Sequence, residues 1–310
     1  MNRSGSHILT LFLDGIGLGA DNPEINPFAV ADLPTLHSLS SGKRWLARTE
    51  LVASHNAVLA PTDPCLGVAG RPQSGTGQAS LLTGLNVPKL IGKHYGPKPN
   101  LETRQIIARH SYFKSLLERG KTARLLTAYP PRLLQDFARG KTLRSSIQQA
   151  AYESGKGHFS VEDVVEERAL TAEWTTVGWQ RHLGISRLPG YSPRQAGQLL
   201  ARLSRGYDFA FHSHWLTDRI GHRGPFARGV RLLETFDQVL AGVLDEWQCD
   251  EGLVVVISDH GNMEDLSTRR HTLNKVPTLV VGERAADFAE GYESLTDFVP
   301  ACDRILFDSR

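Results

Sequence analysis

The sequence has little cysteine and no long apolar run. Its three cysteines, Cys65, Cys249 and Cys302, lie far apart and form no CxxC pair. This pattern excludes a disulfide framework and a zinc site built from thiolates, and it indicates a reducing compartment. Asp14 ends the first apolar run after residues 8–13, which is too short for a signal peptide or a membrane span. We therefore expect a cytoplasmic protein with no membrane partner.

A large net charge is also missing. Lysine and arginine exceed aspartate and glutamate by only two residues, which argues against a nucleic-acid binder that depends on a basic field. With 40% hydrophobic residues, the chain can bury a full core and is neither fibrous nor disordered. What the sequence does contain is histidine, with 12 residues, and imidazole is a common ligand of transition metals.

Short apolar runs alternate with segments of helical spacing. The runs cover residues 8–13, 123–127, 208–211, 253–258 and 278–281, and the helical segments cover residues 106–119, 193–203 and 230–247. Strands that are apolar on both faces and alternate with helices predict an α/β fold, with a mostly parallel central sheet and helices on both faces. No repeat or linker interrupts the pattern, so we expect a single domain over residues 1–310.

Carboxylates and imidazoles follow three of the apolar runs. Asp14 follows the first run, Asp218 and His222 follow the third, and Asp259 and His260 follow the fourth. Ligands of open α/β sheets bind beyond the carboxyl ends of the strands, so these side chains are expected at one site. The four-residue spacing of Asp218 and His222 places both on one face of a helical turn.

A sixth donor, His271, lies further along the chain. Alone it would be interpreted as a solvated loop histidine. Together, the six residues offer oxygen and nitrogen ligands without a thiolate, which suits Mn²⁺ or Zn²⁺, and they are too many for one tetrahedral ion. The sequence therefore predicts two divalent metal ions per chain.

Ser74 precedes a glycine turn that leads into a predicted helix. Local sequence alone favours an ordinary helix cap for this serine. A hydroxyl at a helix N-terminus is also well placed to bind or receive phosphate. The segment is not a P-loop, because Thr76 stands where the lysine is required, and Pro72 and Thr76 occupy the glycine positions of a GxSxG elbow.

Five segments taken together resemble the alkaline phosphatase superfamily. They are Asp14-Gly15-Ile16-Gly17, Ser74-Gly75-Thr76-Gly77, Asp218-x-x-x-His222, Asp259-His260-Gly261-Asn262 and His271-Thr272-x-Asn274-x-Val276-Pro277. They follow the order of the family, and they are most similar to the branch of cofactor-independent phosphoglycerate mutase and phosphopentomutase. The resemblance implies an alkaline-phosphatase-like fold.

The resemblance also implies roles for these residues. Ser74 would be the nucleophile that is phosphorylated during the reaction. The implied metal ligands are Asp14, Ser74, Asp259 and His260 for one ion, and Asp218, His222 and His271 for the second. Gln78 stands where the mutases have histidine, which leaves the substrate contacts open.

Several basic residues lie near these segments. Arg71 is a candidate substrate-binding residue, because a guanidinium matches two phosphate oxygens, although a solvated loop arginine explains it equally well. We interpret the basic loop of residues 89–98, including Lys98, as solvated. His212 and His214 share one face of a strand, and they would orient metal ligands if that face is turned towards the metals.

The predicted function is a phosphomonoesterase that hydrolyses a small phosphorylated metabolite through a phosphoserine intermediate. The resembling mutases use a large inserted cap, whereas residues 132–188 leave room only for a reduced cap or insertion, so we expect no large cap domain and favour hydrolysis. A phosphomutase and a phosphodiesterase remain alternatives, as does a protein that binds metal without catalysis. The sulfatase pattern CxPxR or SxPxR is absent around Ser74.

Overall fold

A seven-stranded mixed sheet forms the centre of the protein. The structure is a computed structural model, and it describes residues 7–247 and 252–308. Cys249 lies outside the described residues. The strands are β1 (His7–Leu13), β2 (Val52–Ala53), β3 (Ala57–Thr62), β4 (Ala123–Leu125), β5 (Thr127–Ala128), β6 (Leu170–Thr171), β7 (Phe209–His214), β8 (Gly252–Ile257) and β9 (Val276–Val281). The order in the main sheet is β2-β3-β9-β8-β1-β7-β4, and β5 and β6 pair separately.

The middle of the sheet is parallel. β4, β7, β1 and β8 run in one direction, whereas β9 is antiparallel to both of its neighbours, β8 and β3. The predicted α/β class with a mostly parallel sheet is therefore confirmed. Because β9 runs the other way, its beginning and not its end lies at the edge where β1 and β8 end, which brings the preceding segment with His271 to that edge.

Helices cover both faces of the sheet. They are α1 (Pro34–Leu39), α2 (Ser74–Thr83), α3 (Val87–Leu90), α4 (Leu101–His110), α5 (Tyr112–Glu118), α6 (Pro131–Ala138), α7 (Ser146–Tyr152), α8 (Val161–Val165), α9 (Val177–Leu183), α10 (Pro193–Ser204), α11 (Leu216–Arg223), α12 (Phe226–Glu246), α13 (Ala285–Ala289) and α14 (Phe298–Phe307). Among the described residues, no helix is long and apolar enough to cross a membrane.

The apolar residues of β1 show why the sheet needs both layers. Leu9 and Leu11 belong to the hydrophobic cluster that α10 and α12 cover, whereas Ile8 and Phe12 belong to the cluster that α2 and α14 cover. Successive side chains of a strand point to opposite faces, so a strand with apolar side chains on both faces is stable only when both faces are covered. The carboxyl ends of the parallel strands are left free of covering helices and form the site described below.

Local structure departs from the predicted elements in three places. The segment 106–119 is not one helix, because Ser111 has extended backbone and its hydroxyl accepts a hydrogen bond from the Lys114 amide, which starts α5. The run 123–127 is divided between β4 and β5, which belong to different sheets. The proline and glycine content of residues 61–77 predicts an ordered loop, but Pro61 and Thr62 end β3, where Pro61 lies opposite Pro277.

Residues 132–188 lie beside the helix that begins at Ser74. The Ser146 hydroxyl of α7 donates a hydrogen bond to the Gly75 carbonyl at 2.5 Å, so this segment packs directly on the start of α2. Throughout the described part of the chain, no large cap domain extends from the sheet. The expected single domain, with this segment as a reduced cap or insertion, stays a prediction.

Candidate active site

The first group of potential metal ligands lies where β1 and β8 end. Asp14, Asp259 and His260 each bring one ligand atom within 4.8 Å of the others, and all three residues are buried. His260 Nε2 lies 3.3 Å from Asp14 Oδ1 and 3.6 Å from Asp259 Oδ2. Ser74 Oγ lies 2.9 Å from the same nitrogen. The structure thus brings together the four residues that the sequence resemblance assigns to one ion.

The second group lies on α11 and in the segment before β9. Asp218 Oδ1 lies 3.4 Å from Nε2 of His222 and 3.4 Å from Nε2 of His271. The two imidazole nitrogens are 3.1 Å apart. His260 also belongs to this group, and its ring stacks on that of His271 at 3.7 Å between centroids. Two imidazole nitrogens that face one carboxylate oxygen are arranged as ligands of a common cation.

The charges of the first group attract a cation. Burial and the neighbouring charge of Asp259 raise the pKa of Asp14 well above its usual value. Burial opposes the charged form of His260, but the carboxylates of Asp259, Asp14 and Asp218 outweigh it and raise the pKa of His260 to about 10. Three clustered carboxylates are stable only beside positive charge, so the site favours a protonated histidine or a metal ion.

Unsatisfied oxygen atoms provide a test of whether a metal fits. Asp14 Oδ1 and Asp259 Oδ2 are buried and have no hydrogen-bond partner in the described ranges. Leaving a buried carboxylate oxygen without a partner is costly, and coordination to a cation removes that cost. The available donors are carboxylate oxygens, imidazole nitrogens and a hydroxyl, a set that suits borderline divalent ions such as Zn²⁺ and Mn²⁺. The residues present therefore fit a divalent metal.

Ser74 is not a helix cap. Gln73 is the N-cap residue of α2, and Ser74 is the first residue of the helix, with its hydroxyl directed to His260. The local expectation of a capping serine is wrong, because a distant residue binds the hydroxyl. Gly77 allows the close approach of α2 to the metal ligands, since a Cβ there would lie 3.0 Å from the Asp259 carbonyl oxygen.

Two amide side chains, which the sequence did not assign, orient the carboxylates. Gln78 Nε2 donates to Asp14 Oδ2 at 3.1 Å, and Asn262 Nδ2 donates to Asp218 Oδ1 at 2.7 Å. The sequence signal for Asn262 was its place in the run that begins at Asp259. From the sequence, Gln78 is only a departure from the histidine of the mutases. In the structure, the residue at this position binds the Asp14 carboxylate.

Glu264 connects three of the five segments that carry the potential ligands. It is fully buried, and its carboxylate accepts hydrogen bonds from the Gly17 amide at 2.9 Å, the Asn262 amide at 2.7 Å and Asn274 Nδ2 at 3.0 Å. The Thr272 hydroxyl also donates to it. Sequence reasoning missed this residue because a glutamate in a polar loop is usually solvated.

A cavity of about 360 Å³ opens beside Ser74, Asp14 and Asp218. Lys98 lines this cavity, contrary to the expectation that the basic loop is solvated. Burial lowers the pKa of Lys98, and the charge of Asp14 opposes that change. The remaining walls include aromatic and polar side chains, two of which, Gln148 and Trp179, belong to residues 132–188: Tyr129, Gln148, Trp179, Trp215 and Arg219.

Arg71 and the histidines of β7 lie elsewhere. Arg71 is exposed and is not among the residues that line the cavity. His212 pairs with the Thr171 carbonyl oxygen at 3.2 Å, and His214 pairs with the Ala172 carbonyl oxygen at 2.6 Å. Burial lowers the pKa of His212 to about 4 and that of His214 to about 3. This face of β7 is turned towards β6, so these two histidines do not orient the metal ligands.

Part of the chain matches the sequence model of a known protein family. Residues 192–301 match the family model described as the Metalloenzyme superfamily. The match covers 110 of the 310 residues. It contains five of the potential metal ligands, Asp218, His222, Asp259, His260 and His271, but not Asp14 or Ser74. The resemblance predicted from the sequence is confirmed, and similarity to this superfamily implies the binding of a divalent metal.

The chain is similar to curated proteins that are named as phosphoglycerate mutases. The chain is 31% identical over 108 residues to the 2,3-bisphosphoglycerate-independent phosphoglycerate mutase of Methylobacillus flagellatus, an alignment that covers 33% of this chain and 21% of the relative. The corresponding mutase of Nitrosococcus oceani is 36% identical over 101 residues, covering 30% of this chain and 19% of the relative. The aligned part of the chain thus spans about a fifth of the length of these relatives.

Solved structures show the same fold over nearly the whole chain. A protein from Pyrococcus horikoshii has a TM-score of 0.52 at 16% identity and covers 99% of both chains. The phosphoglycerate mutase of Leishmania mexicana has a TM-score of 0.51 at 11% identity and covers 99% of this chain and 96% of its own. At these identities the likeness supports the fold alone.

Proposed function

We propose that the chain is a phosphomonoesterase that uses two divalent metal ions, Mn²⁺ or Zn²⁺, and a phosphoserine intermediate on Ser74. The observation that supports this proposal best is the position of the Ser74 hydroxyl. It lies at the N-terminus of α2, 2.9 Å from His260 Nε2, and it faces the cavity that Asp14 and Asp218 also line. A nucleophile, an anion-binding helix end and two groups of metal ligands therefore meet at one place.

The two donor groups divide the work of holding the ions. Asp14, Ser74, Asp259 and His260 would hold one ion, and Asp218, His222 and His271 would hold the other. Ions bound there would lower the pKa of the serine hydroxyl and stabilise the negative charge that develops on the phosphoryl group and on the leaving oxygen. Gln78 and Asn262 keep the Asp14 and Asp218 carboxylates in orientation.

The chain's own residues account for the remaining requirements. Ser74 Oγ forms the bond to phosphorus while the ester oxygen leaves, and water then attacks the phosphoserine and releases inorganic phosphate. Lys98 lines the same cavity, and we propose it, in place of Arg71, as the side chain that binds the oxygens of the phosphate group. A volume of about 360 Å³ and a lining that includes Lys98 and Arg219 suit a small phosphorylated metabolite rather than nucleic acid or a membrane surface.

Isomerisation is the second candidate function. It is favoured by the names of the curated relatives, which are phosphoglycerate mutases. Hydrolysis is favoured by the small size of residues 132–188, which contribute cavity walls but form only short helices and one two-residue strand. A mutase must keep the dephosphorylated intermediate away from water, and a small cap serves this purpose poorly.

The decisive experiment compares phosphate release with isomerisation. Purified protein loaded with Mn²⁺ or Zn²⁺ is incubated with a panel of phosphorylated metabolites, and products are followed by phosphate assay and by ³¹P NMR. Release of phosphate supports the phosphomonoesterase, and isomer formation without release supports the mutase. Ser74→Ala should lower kcat by about 1,000-fold or more because the nucleophile is lost, while metal content should largely persist because Asp14, Asp259 and His260 remain to hold the ion.

A matched control is Ser204→Ala, a buried serine of α10 whose hydroxyl bonds to the Ala201 carbonyl oxygen. Its kcat should equal that of the unmodified protein. Equal activity of Ser74→Ala and the unmodified protein would show that Ser74 is not the nucleophile.

A further inference from the structure

Four arginines line a second cavity, which lies between α11 and α12. The cavity has a volume of about 360 Å³, and its arginines are Arg219 and Arg223 of α11 and Arg228 and Arg231 of α12. None of the four forms an ion pair with a carboxylate in the part of the chain that the structure describes. Four guanidinium groups around one concave space leave a concentrated positive charge there.

The acidic side chains on these helices do not neutralise this charge. Asp218 is directed towards His222 and His271 and accepts a hydrogen bond from Asn262. Glu234 of α12 accepts a hydrogen bond from the Asp32 amide and does not line the cavity. The surplus positive charge of this cavity is therefore available to a ligand.

The helical geometry places this cavity beside the metal site without merging the two. Successive residues of an α-helix are about 100° apart, so Arg219 and Arg223 form a row next to that of Asp218 and His222. Arg219 lines both this cavity and the one at Ser74. α11 thus presents metal ligands on one face and arginines on the adjacent face.

The lining selects the chemistry of the ligand. Arginine binds phosphate oxygens with two parallel N–H donors and stays charged at any physiological pH. The first turn of α12, which contains no acidic residue, adds the positive end of a helix dipole. Leu216, Ile220 and Leu232 supply an apolar wall for a carbon skeleton. Neither a bare inorganic ion nor an apolar compound uses all of these features.

We propose that this cavity is a second anion-binding site, which binds a small phosphorylated molecule with two or more negative charges. Such a molecule has two sources. It is either a separate molecule that occupies this cavity alone, or the far end of a substrate whose reacting phosphate lies at Ser74, with Arg219 between the two positions. The binding chemistry is the same in both cases, and it does not depend on the reaction proposed for Ser74.

The test measures binding of fructose 1,6-bisphosphate to the metal-loaded protein by isothermal titration calorimetry, with fructose 6-phosphate as the monophosphate reference. The double variant Arg223→Gln/Arg231→Gln should bind the bisphosphate about 30-fold or more weakly, since two charge-assisted hydrogen-bonding groups are lost. Both side chains are exposed and without an ion pair in the described ranges, so the variant should keep the unfolding midpoint and metal content of the unmodified protein.

The control variant is Arg109→Gln/Arg139→Gln, which removes the same net charge from exposed arginines on α4 and at the end of α6. It should bind the bisphosphate as the unmodified protein does. Equal affinity of the two double variants would overturn the proposal, as would an unmodified protein that binds the bisphosphate no better than the monophosphate.

Lys98→Gln, which alters the lining of the cavity at Ser74 and not that of the arginine cavity, separates the two sources of the ligand. If this variant binds the bisphosphate as the unmodified protein does, a separate molecule occupies the arginine cavity. If Lys98→Gln and Arg223→Gln/Arg231→Gln both weaken bisphosphate binding, one substrate spans both positions. Either result supports the second site. A protein that shows this binding but hydrolyses no ester would refute the proposed function and keep this inference.

Discussion

His260 and His214 are both buried at the ends of strands in the parallel part of the sheet, yet their environments drive their charges in opposite directions. Three carboxylates raise the pKa of His260 to about 10 against the effect of burial, whereas burial lowers the pKa of His214 to about 3. His214 has a backbone carbonyl and the ring of Trp174 as neighbours, with 3.9 Å between ring centroids. Burial alone therefore makes a neutral core histidine, and only clustered carboxylates make a ligand site.

The largest difference in metal content and activity is expected between two single variants, His260→Gln and His214→Gln. His260→Gln removes a donor that both groups of potential ligands share, so bound metal should fall below one ion per chain and activity should fall by about 1,000-fold. His214→Gln should retain metal and activity, because its ring contacts only the core. Metal content by mass spectrometry and kcat distinguish them. Loss of metal in His214→Gln would contradict the claim that His214 is a core residue and not part of the metal site.

Glu264 tests whether the loops that carry the ligands need their buried anchor. Glu264→Gln keeps the size of the side chain but removes the charge that accepts hydrogen bonds from Gly17, Asn262 and Asn274. We expect metal affinity to fall by about 10- to 100-fold, the usual effect of losing a partner behind the ligands. Competition with a metal chelator measures the affinity. Asp265→Asn, at the half-buried neighbour whose carboxylate accepts hydrogen bonds from Ser267, should change the metal affinity by less than threefold.

The neutral histidines predict a dependence of stability on pH. The folded-state pKa of His214 lies below the ordinary value, so its proton must leave on folding, and stability is full above about pH 6.5 and is lost as the pH falls towards 3. At pH 5 the cost is about 2 kcal/mol. The free energy of unfolding, measured with urea at pH 7 and pH 5, should fall in both proteins. The fall should be about 2 kcal/mol larger in the unmodified protein than in His214→Gln. Equal losses would mean that His214 is charged when folded.

The smallest effect is expected at Arg71. Arg71→Gln should change kcat/KM for a phosphate ester by less than about threefold, because the side chain is exposed and lies outside the cavity lining. Lys98→Gln should lower it by about 10- to 100-fold, since the ammonium group lines the cavity. Steady-state kinetics of both variants decide between the two side chains. A larger loss at Arg71 would return the phosphate-binding role to that residue.

Much of this arrangement could be predicted from the sequence because it depends on local spacing. Strand ends locate Asp14 and Asp259, and helical spacing locates Asp218 and His222 on one face of α11. What could not be predicted depends on contacts between distant segments. The alternation along β7 put His212 and His214 on one face, but only the packing of β6 and Trp174 shows which face it is.

Contacts between distant segments also explain why the residues that surround the potential metal ligands could not be predicted. Glu264 had no sequence signal, since its partners come from loops that lie far apart in the chain. Local sequence alone favours a helix cap for Ser74, and only the resemblance to a known family identifies it as a nucleophile. The antiparallel direction of β9 is known only from its pairing with β8. This direction brings His271, which precedes β9, to the site.

Metal stoichiometry tests the central claim most directly. Protein stripped with EDTA and titrated with Mn²⁺ or Zn²⁺ should bind two ions per chain, as read by elemental analysis after gel filtration. Asp218→Asn, which alters only the second donor group of the proposed pair, should bind one. One ion or none in the unmodified protein would contradict the two-metal account.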